Sequence, residues 1–139
     1  MKEAQKLRVV IADDEEHIRE LFDMVMMKMN CLVVGEARNG QEAVDLFEQQ
    51  QPDLLLLDLN MPIKSGDEAL EEIMHMFPQA FVIILSSVAD VESVERCVRL
   101  GASNYLRKDT PLKDMIRIIK ESWMAFQKER ATSHVEQKI

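Results

Sequence analysis

Gln51-Pro52-Asp53-Leu54-Leu55-Leu56-Leu57-Asp58-Leu59-Asn60-Met61-Pro62 holds four consecutive leucines between two aspartates. A strand wetted on one face alternates apolar and polar residues. A run that is apolar at every position is what a strand covered on both faces requires, as in a parallel sheet with helices on each side. Four further short runs read as strands around it: Leu7-Arg8-Val9-Val10-Ile11-Ala12, Leu32-Val33-Val34, Phe81-Val82-Ile83-Ile84-Leu85 and Asn104-Tyr105-Leu106. Between them the spacing turns helical. Ile18, Leu21, Phe22, Val25, Met26 and Met29 recur at intervals of three and four, and so do Leu112, Met115, Ile116, Ile119, Trp123 and Phe126 behind a Thr110-Pro111 start signal. Ala43/Val44/Phe47, Ala69/Leu70/Ile73/Met74/Phe77 and Val91/Val94/Val98 mark three middle helices, and Gly101 is placed to end the last of them. Strand and helix alternate five times, which predicts a doubly wound α/β sandwich, because parallel neighbours need right-handed helical crossovers.

The bulk properties agree with one such domain. The chain has 139 residues, 47% hydrophobic and 30% charged, enough for a core of its own. Its 17 basic and 25 acidic residues leave a net charge of −8, with no basic run able to track a phosphate backbone, so direct nucleic-acid binding by this domain is not expected. Cys31 and Cys97 lie in apolar contexts without CxxC or Cys/His spacing, which reads as buried thiols in a reducing compartment and excludes zinc and a disulfide framework. Met1 to Lys6 leads directly into the first strand-like run without a secretory apolar segment. The longest apolar stretch, Ala80 to Leu85, is far below the ~18 residues of a membrane helix. The expectation is a soluble cytoplasmic protein with no membrane partner. Residues 1–127 form the domain, and 128–139, where the stripe is lost, read as a helix end or linker remnant.

Ligands of such sheets sit at the carboxyl ends of the strands. There the first run ends in Asp13-Asp14, the third in Asp58 and the fourth in Ser86-Ser87, and the fifth is followed closely by Lys108. Taken singly, Asp13 could cap the next helix with Glu16 as its capping-box partner, Ser86 could be a turn, and Lys108 a solvated end. Asp58 is different, because a charge beside Leu57 and Leu59 needs a paired cation if its role is only structural. Crowded carboxylates repel, and the remedies are a raised pKa or a hard cation. Mg²⁺ suits two or three acidic ligands and a carbonyl while keeping waters and phosphate oxygens. A carboxylate near that ion can attack phosphorus while an ammonium and a hydroxyl stabilise the transferring oxygens, so the pattern fits phosphoryl transfer onto an aspartate.

Val9-Val10-Ile11-Ala12-Asp13-Asp14-Glu15, the Asp53 to Pro62 segment with Ser65-Gly66, Ile83-Ile84-Leu85-Ser86-Ser87, and Gly101-Ala102-Ser103-Asn104-Tyr105-Leu106-Arg107-Lys108 together resemble the CheY-like receiver domain of two-component response regulators, over roughly residues 7 to 126. The resemblance implies a flavodoxin-like (βα)5 sandwich whose five-stranded parallel sheet has the order 2-1-3-4-5. It makes Asp58 the phosphoacceptor and places Mg²⁺ on Asp13, Asp14, Asp58 and the Asn60 backbone carbonyl. Ser86 becomes the switch hydroxyl, Lys108 the phosphate-pairing lysine and Tyr105 the switch aromatic. A histidine kinase or phosphotransfer protein would supply the phosphoryl group. The readout would be the fourth helix, fifth strand and fifth helix, with Val91, Glu95, Arg99, Arg107, Lys113 and Arg117 facing a downstream protein. The protein would be a signalling module and not an enzyme acting on a metabolite, and either a monomer or a phosphorylation-dependent dimer.

Two features depart from the commonest receiver pattern. Lys108 is followed by Asp109 and not proline, which puts the frequent cis peptide in doubt. That junction, with Val33-Val34-Gly35-Glu36-Ala37, looks more like receivers joined to helix-turn-helix outputs, although nothing after residue 126 could form one. The expectation is a stand-alone regulator, with an excised receiver as the alternative. Competing functions are a phosphate-independent pseudo-receiver scaffold and a haloacid-dehalogenase-type phosphatase, which wants an acid where Asn60 stands. A dinucleotide or P-loop fold is excluded by the acidic first turn and the four scattered glycines. Asn60 and Val88 are expected to flank the approach of a hydrolytic water.

Overall fold

The computed structural model describes residues 6–87 and 89–138, with side chains as far as Thr132; Val88 and the opening residues 1–5 lie outside that description. In chain order the elements are β1 (Arg8–Ala12), α1 (Glu16–Lys28), β2 (Leu32–Ala37), α2 (Gly40–Gln50), β3 (Leu54–Asp58), α3 (Gly66–Met76), β4 (Val82–Ser86), α4 (Val91–Leu100), β5 (Asn104–Arg107) and α5 (Leu112–Lys138). All pairings are parallel and the sheet order is β2-β1-β3-β4-β5.

The four leucines explain the layering. Leu55 and Leu57 face one core, shared with Ala43, Phe47, Leu70, Ile73 and Cys97 under α2, α3 and α4. Leu54 and Leu56 face the other, with Phe22, Val25, Met26, Met115 and Ile119 of α1 and α5. Each leucine is fully buried, as the unbroken apolar run requires of the central strand. The edge strand β2 is only half covered, and it runs three residues further than its apolar triplet, through Gly35 and Glu36 to Ala37. A register shift opposite Val9/Val10 bulges it. Gly101 ends α4 at φ 118, a left-handed cap that favours glycine. The described residues include no cis peptide; Cys31 and Cys97 are free thiols, Cys97 buried as expected but Cys31 only partly so.

Two boundary expectations are corrected. Asp13 does not cap α1. Its N–H donates to the Ala37 carbonyl at 3.0 Å, just past the end of β1, so it is tied to the sheet edge and the helix starts only at Glu16 with Glu15 in the cap position. At α5 the carbonyl of Pro111, one residue after Thr110, accepts the first helical bonds, from Asp114 and Met115 at 2.9 Å. Beyond Phe126 the α5 backbone stays helical to Lys138.

Gly66 opens α3 so close to the end of β3 that a Cβ would lie 2.0 Å from the Asp58 carbonyl oxygen. Neither side can yield, because Gly66 N–H is also bonded to Leu59 O at 2.8 Å and β3 is buried along its length. Gly66→Ala is expected to cost about 3 kcal/mol in urea unfolding through overpacking, and to displace Asp58. A loss below about 1 kcal/mol would show that α3 can retreat.

Candidate functional site

The parallel register delivers the chain's acidic groups to one edge. Ala12 pairs with Leu57, so Asp13 and Asp58 follow at the same level. Asp58 pairs with Leu85 and Ser86 with Arg107, which sets Ser86 beside Asp58 and Lys108 just beyond. Lys108 N–H donates to Ser86 O at 2.9 Å, carrying the ladder one residue past β5. Asp13, Asp58 and Ser86 are all buried. Asp14 and Asn60 are exposed, so the cluster is open to solvent on their side.

Lys108 Nζ lies 3.0 Å from Asp58 Oδ1, 2.8 Å from Asp13 Oδ2 and 3.9 Å from Glu15 Oε1. Asp58 thus has the paired cation that its burial demands. One cation between two buried carboxylates is not enough to keep both acidic. Burial first, and the Asp13 charge second, push the Asp58 carboxyl up to about 6, against the pull of Lys108 and the Asn60 backbone N–H. For Lys108 burial favours the neutral amine, but the Asp13 and Asp58 carboxylates outweigh it and hold the ammonium above its ordinary value.

Asp13, Asp14 and Asp58 each offer a carboxylate oxygen, and these atoms lie within 4.8 Å of one another. An octahedral Mg²⁺ with oxygens at about 2.1 Å spans about 4.2 Å across, so the three acids need only small adjustments to share one ion. Asp13 Oδ2 is at ion-pair distance from Lys108 but not aligned with it, and it accepts no hydrogen bond. The ammonium that faces this oxygen is shared with Asp58, which leaves more negative than positive charge in the cluster, and an all-oxygen donor set suits a hard ion. The cluster can hold a metal.

Tyr105, on the edge strand β5, is half-exposed. Between it and Ser86 lies a pocket of about 270 Å³, bounded also by Ser87, Asp90, Val91, Val94, Glu95 and Arg107. The residues expected at the site therefore come together, with Tyr105 at the far side of that pocket. Two contacts were not legible in the sequence. Asn60 Nδ2 donates to Asp90 Oδ1 at 3.3 Å, while Asp90 Oδ2 accepts from the N–H and hydroxyl of Ser87, both at 2.8 Å. Asn60 is thus engaged with the loop after β4, and its expected partner in flanking a water, Val88, lies outside the described residues. Arg19 is buried and donates to the Asp13 carbonyl. Its signal in the sequence is that it falls three and seven residues before Phe22 and Met26, on the apolar stripe of α1.

Comparison with known proteins places this edge in context. The transcriptional regulatory protein YxjL of Bacillus subtilis is 38% identical over 116 residues, covering 83% of this chain and 53% of the relative. The chemotaxis protein CheY of Thermotoga maritima is 34% identical, covering 73% and 84%. The signal receiver domain of the response regulator NarL from Mycobacterium tuberculosis superposes with a TM-score of 0.80 at 26% identity, covering 87% and 98%. The chain spans about half the length of the transcriptional regulators it matches. Among the described residues no helix is long and apolar enough to cross a membrane. The response regulator receiver domain model matches residues 9–120, the stretch from β1 into α5 that carries every group at this edge, and the chain belongs to that family of two-component signalling domains.

Proposed function

We propose that this chain is a phosphorylation-controlled switch in which Asp58 accepts a phosphoryl group from a histidine kinase or phosphotransfer protein. The observation that carries this reading is the pairing of buried Asp58 with Lys108 at 3.0 Å beside a second buried carboxylate, Asp13, that faces the same ammonium. In the transfer an Asp58 carboxylate oxygen bonds to phosphorus while the phosphorus–nitrogen bond of the donor phosphohistidine breaks and the departing imidazole retains the pair and takes up a proton. Asp13, Asp14, Asp58 and the Asn60 backbone carbonyl would hold Mg²⁺, whose chemistry there is to draw charge from the phosphoryl oxygens. Lys108 pairs with a further oxygen, and the Ser86 hydroxyl donates to another.

The new dianion attracts Ser86 toward Asp58, which enlarges the pocket behind it, and the Tyr105 ring moves from solvent into that space. The face changed by this movement comprises α4, β5 and α5. Val91, Glu95, Arg99, Arg107, Lys113 and Arg117 are its candidate contacts with a downstream protein.

Purified protein given Mg²⁺ and acetyl phosphate is expected to gain one hydroxylamine-labile phosphoryl group by mass. Mg²⁺ with beryllofluoride is expected to shift the backbone resonances of Ser86, Tyr105 and α4. Neither modification nor shift, with Mg²⁺ bound, would sink the proposal.

A further inference from the structure

Asp13 has four polar groups, and three of them are tied down. Its N–H donates to Ala37 O at 3.0 Å, its Oδ1 accepts from Glu15 N–H at 2.9 Å, and its carbonyl accepts from Arg19 Nη1 at 2.9 Å. The fourth, Oδ2, accepts no hydrogen bond but lies 2.8 Å from the Lys108 ammonium, within the cluster with Asp14 and Asp58. Two of the three ties are to main chain and come with the fold. The third is a side chain, and Arg19 touches neither Asp58 nor any oxygen of the cluster.

Arg19 is itself held. Its side chain is nine-tenths buried, and Nε lies 3.4 Å from Glu36 Oε1 on β2. The planar fork therefore spans α1, β2 and the β1–α1 turn, with different nitrogens serving two partners that a lysine ammonium at the same place could not serve in the same geometry. Losing it would leave the buried Asp13 carbonyl without its donor and release the peptide on which the Asp13 carboxylate is mounted.

We propose that Arg19, braced by Glu36, is a positioning residue for phosphoryl acceptance: by fixing the Asp13 peptide it aims Asp13 Oδ2 at the metal-binding cluster and so sets Mg²⁺ affinity. This rests on the phosphoacceptor reading above. Residues that orient metal ligands from behind typically change metal affinity about 10- to 100-fold when replaced.

The test uses the intact chain at pH 8, where Asp23, whose carboxyl burial and Glu36 push up to about 6, and Asp58 are ionised. Arg19→Met keeps the apolar stem and removes the fork, while Arg19→Lys keeps the charge. Calorimetric Mg²⁺ titration and the rate of acetyl-phosphate labelling across Mg²⁺ concentrations are measured for both, with circular dichroism as the check on folding. Arg19→Met is expected to raise the Mg²⁺ dissociation constant at least tenfold while the labelling rate at saturating Mg²⁺ stays within about threefold of the native protein, and Arg19→Lys should recover only part of the affinity. A merely structural residue would lower stability without that split. Mg²⁺ affinity within twofold of native in a folded Arg19→Met, or in Arg19→Lys if the first variant does not fold, overturns the proposal. A native protein that binds Mg²⁺ but is never labelled overturns the phosphoacceptor reading instead.

Discussion

Asp58→Asn is expected to abolish phosphorylation by acetyl phosphate and, in the absence of Mg²⁺, to make the fold more stable. The amide is no nucleophile of comparable strength, so labelling should fall to background. The stability gain follows from the pKa of the acid. In the native state burial and Asp13 push the Asp58 carboxyl from 3.8 up to about 6. Between those values the folded protein holds a proton that the unfolded chain has released, so the Asp58 contribution to stability is fully present below about pH 4. It is lost as pH rises through about 6. The shift of about two units corresponds to about 3 kcal/mol of strain carried at neutral pH by the ionised side chain. The asparagine variant should therefore exceed the native protein by about 1 to 3 kcal/mol in urea unfolding at pH 8, and the difference should shrink at pH 5. Full labelling of the variant would remove Asp58 from the acceptor role, and equal stabilities at both pH values would show that the site does not strain the fold.

The second large effect is at the cation. Lys108 is the ammonium that faces both Asp13 and Asp58, which are buried, and its own side chain is only 17% exposed. Lys108→Met removes that charge with little change of volume and leaves two carboxylates facing each other, a loss expected to reach about 3 to 5 kcal/mol. In melting temperature this is roughly 10 °C or more. Because Mg²⁺ would neutralise the same acids, its addition should raise the melting temperature of the variant by more than that of the native protein. Labelling should remain slow at any Mg²⁺ concentration, since under the proposed mechanism the phosphoryl oxygen assigned to Lys108 would have no other cation. Thermal melts with and without Mg²⁺ decide the matter. A variant that melts within about 3 °C of native would mean that the two acids are relieved by proton uptake or by solvent.

Opposed responses to the two substitutions would locate the cost of the site. Removing one acid relaxes it and removing the shared cation aggravates it. A site arranged in this way is under electrostatic load, and a bound Mg²⁺ or phosphoryl group would each alter that load.

The residues alone determined the layered α/β architecture, because the unbroken apolar runs of β1, β3 and β4 can be satisfied only by cover on both sides, and the helical stripes between the runs supply that cover. They also located Asp13, Asp14, Asp58, Ser86 and Lys108 at strand ends, since the place where an apolar run stops is a local property. Local pattern did less well where a residue serves the sheet and a turn at once. Asp13 looks like a helix cap in sequence, and instead its N–H is tied to Ala37 just past the end of β1. β2 reads as three residues because Gly35 and Glu36 break its apolar run, although at a half-covered edge a strand can carry both. Tertiary structure alone decided that Lys108 stands between Asp13 and Asp58, that Asn60 is engaged by Asp90, and that Arg19 on the buried side of α1 holds the Asp13 carbonyl. Periodicity records which face of its own element a side chain occupies. Contacts between positions as far apart as 13 and 108 exist only once parallel register and crossover handedness have brought separate strand ends to the same level.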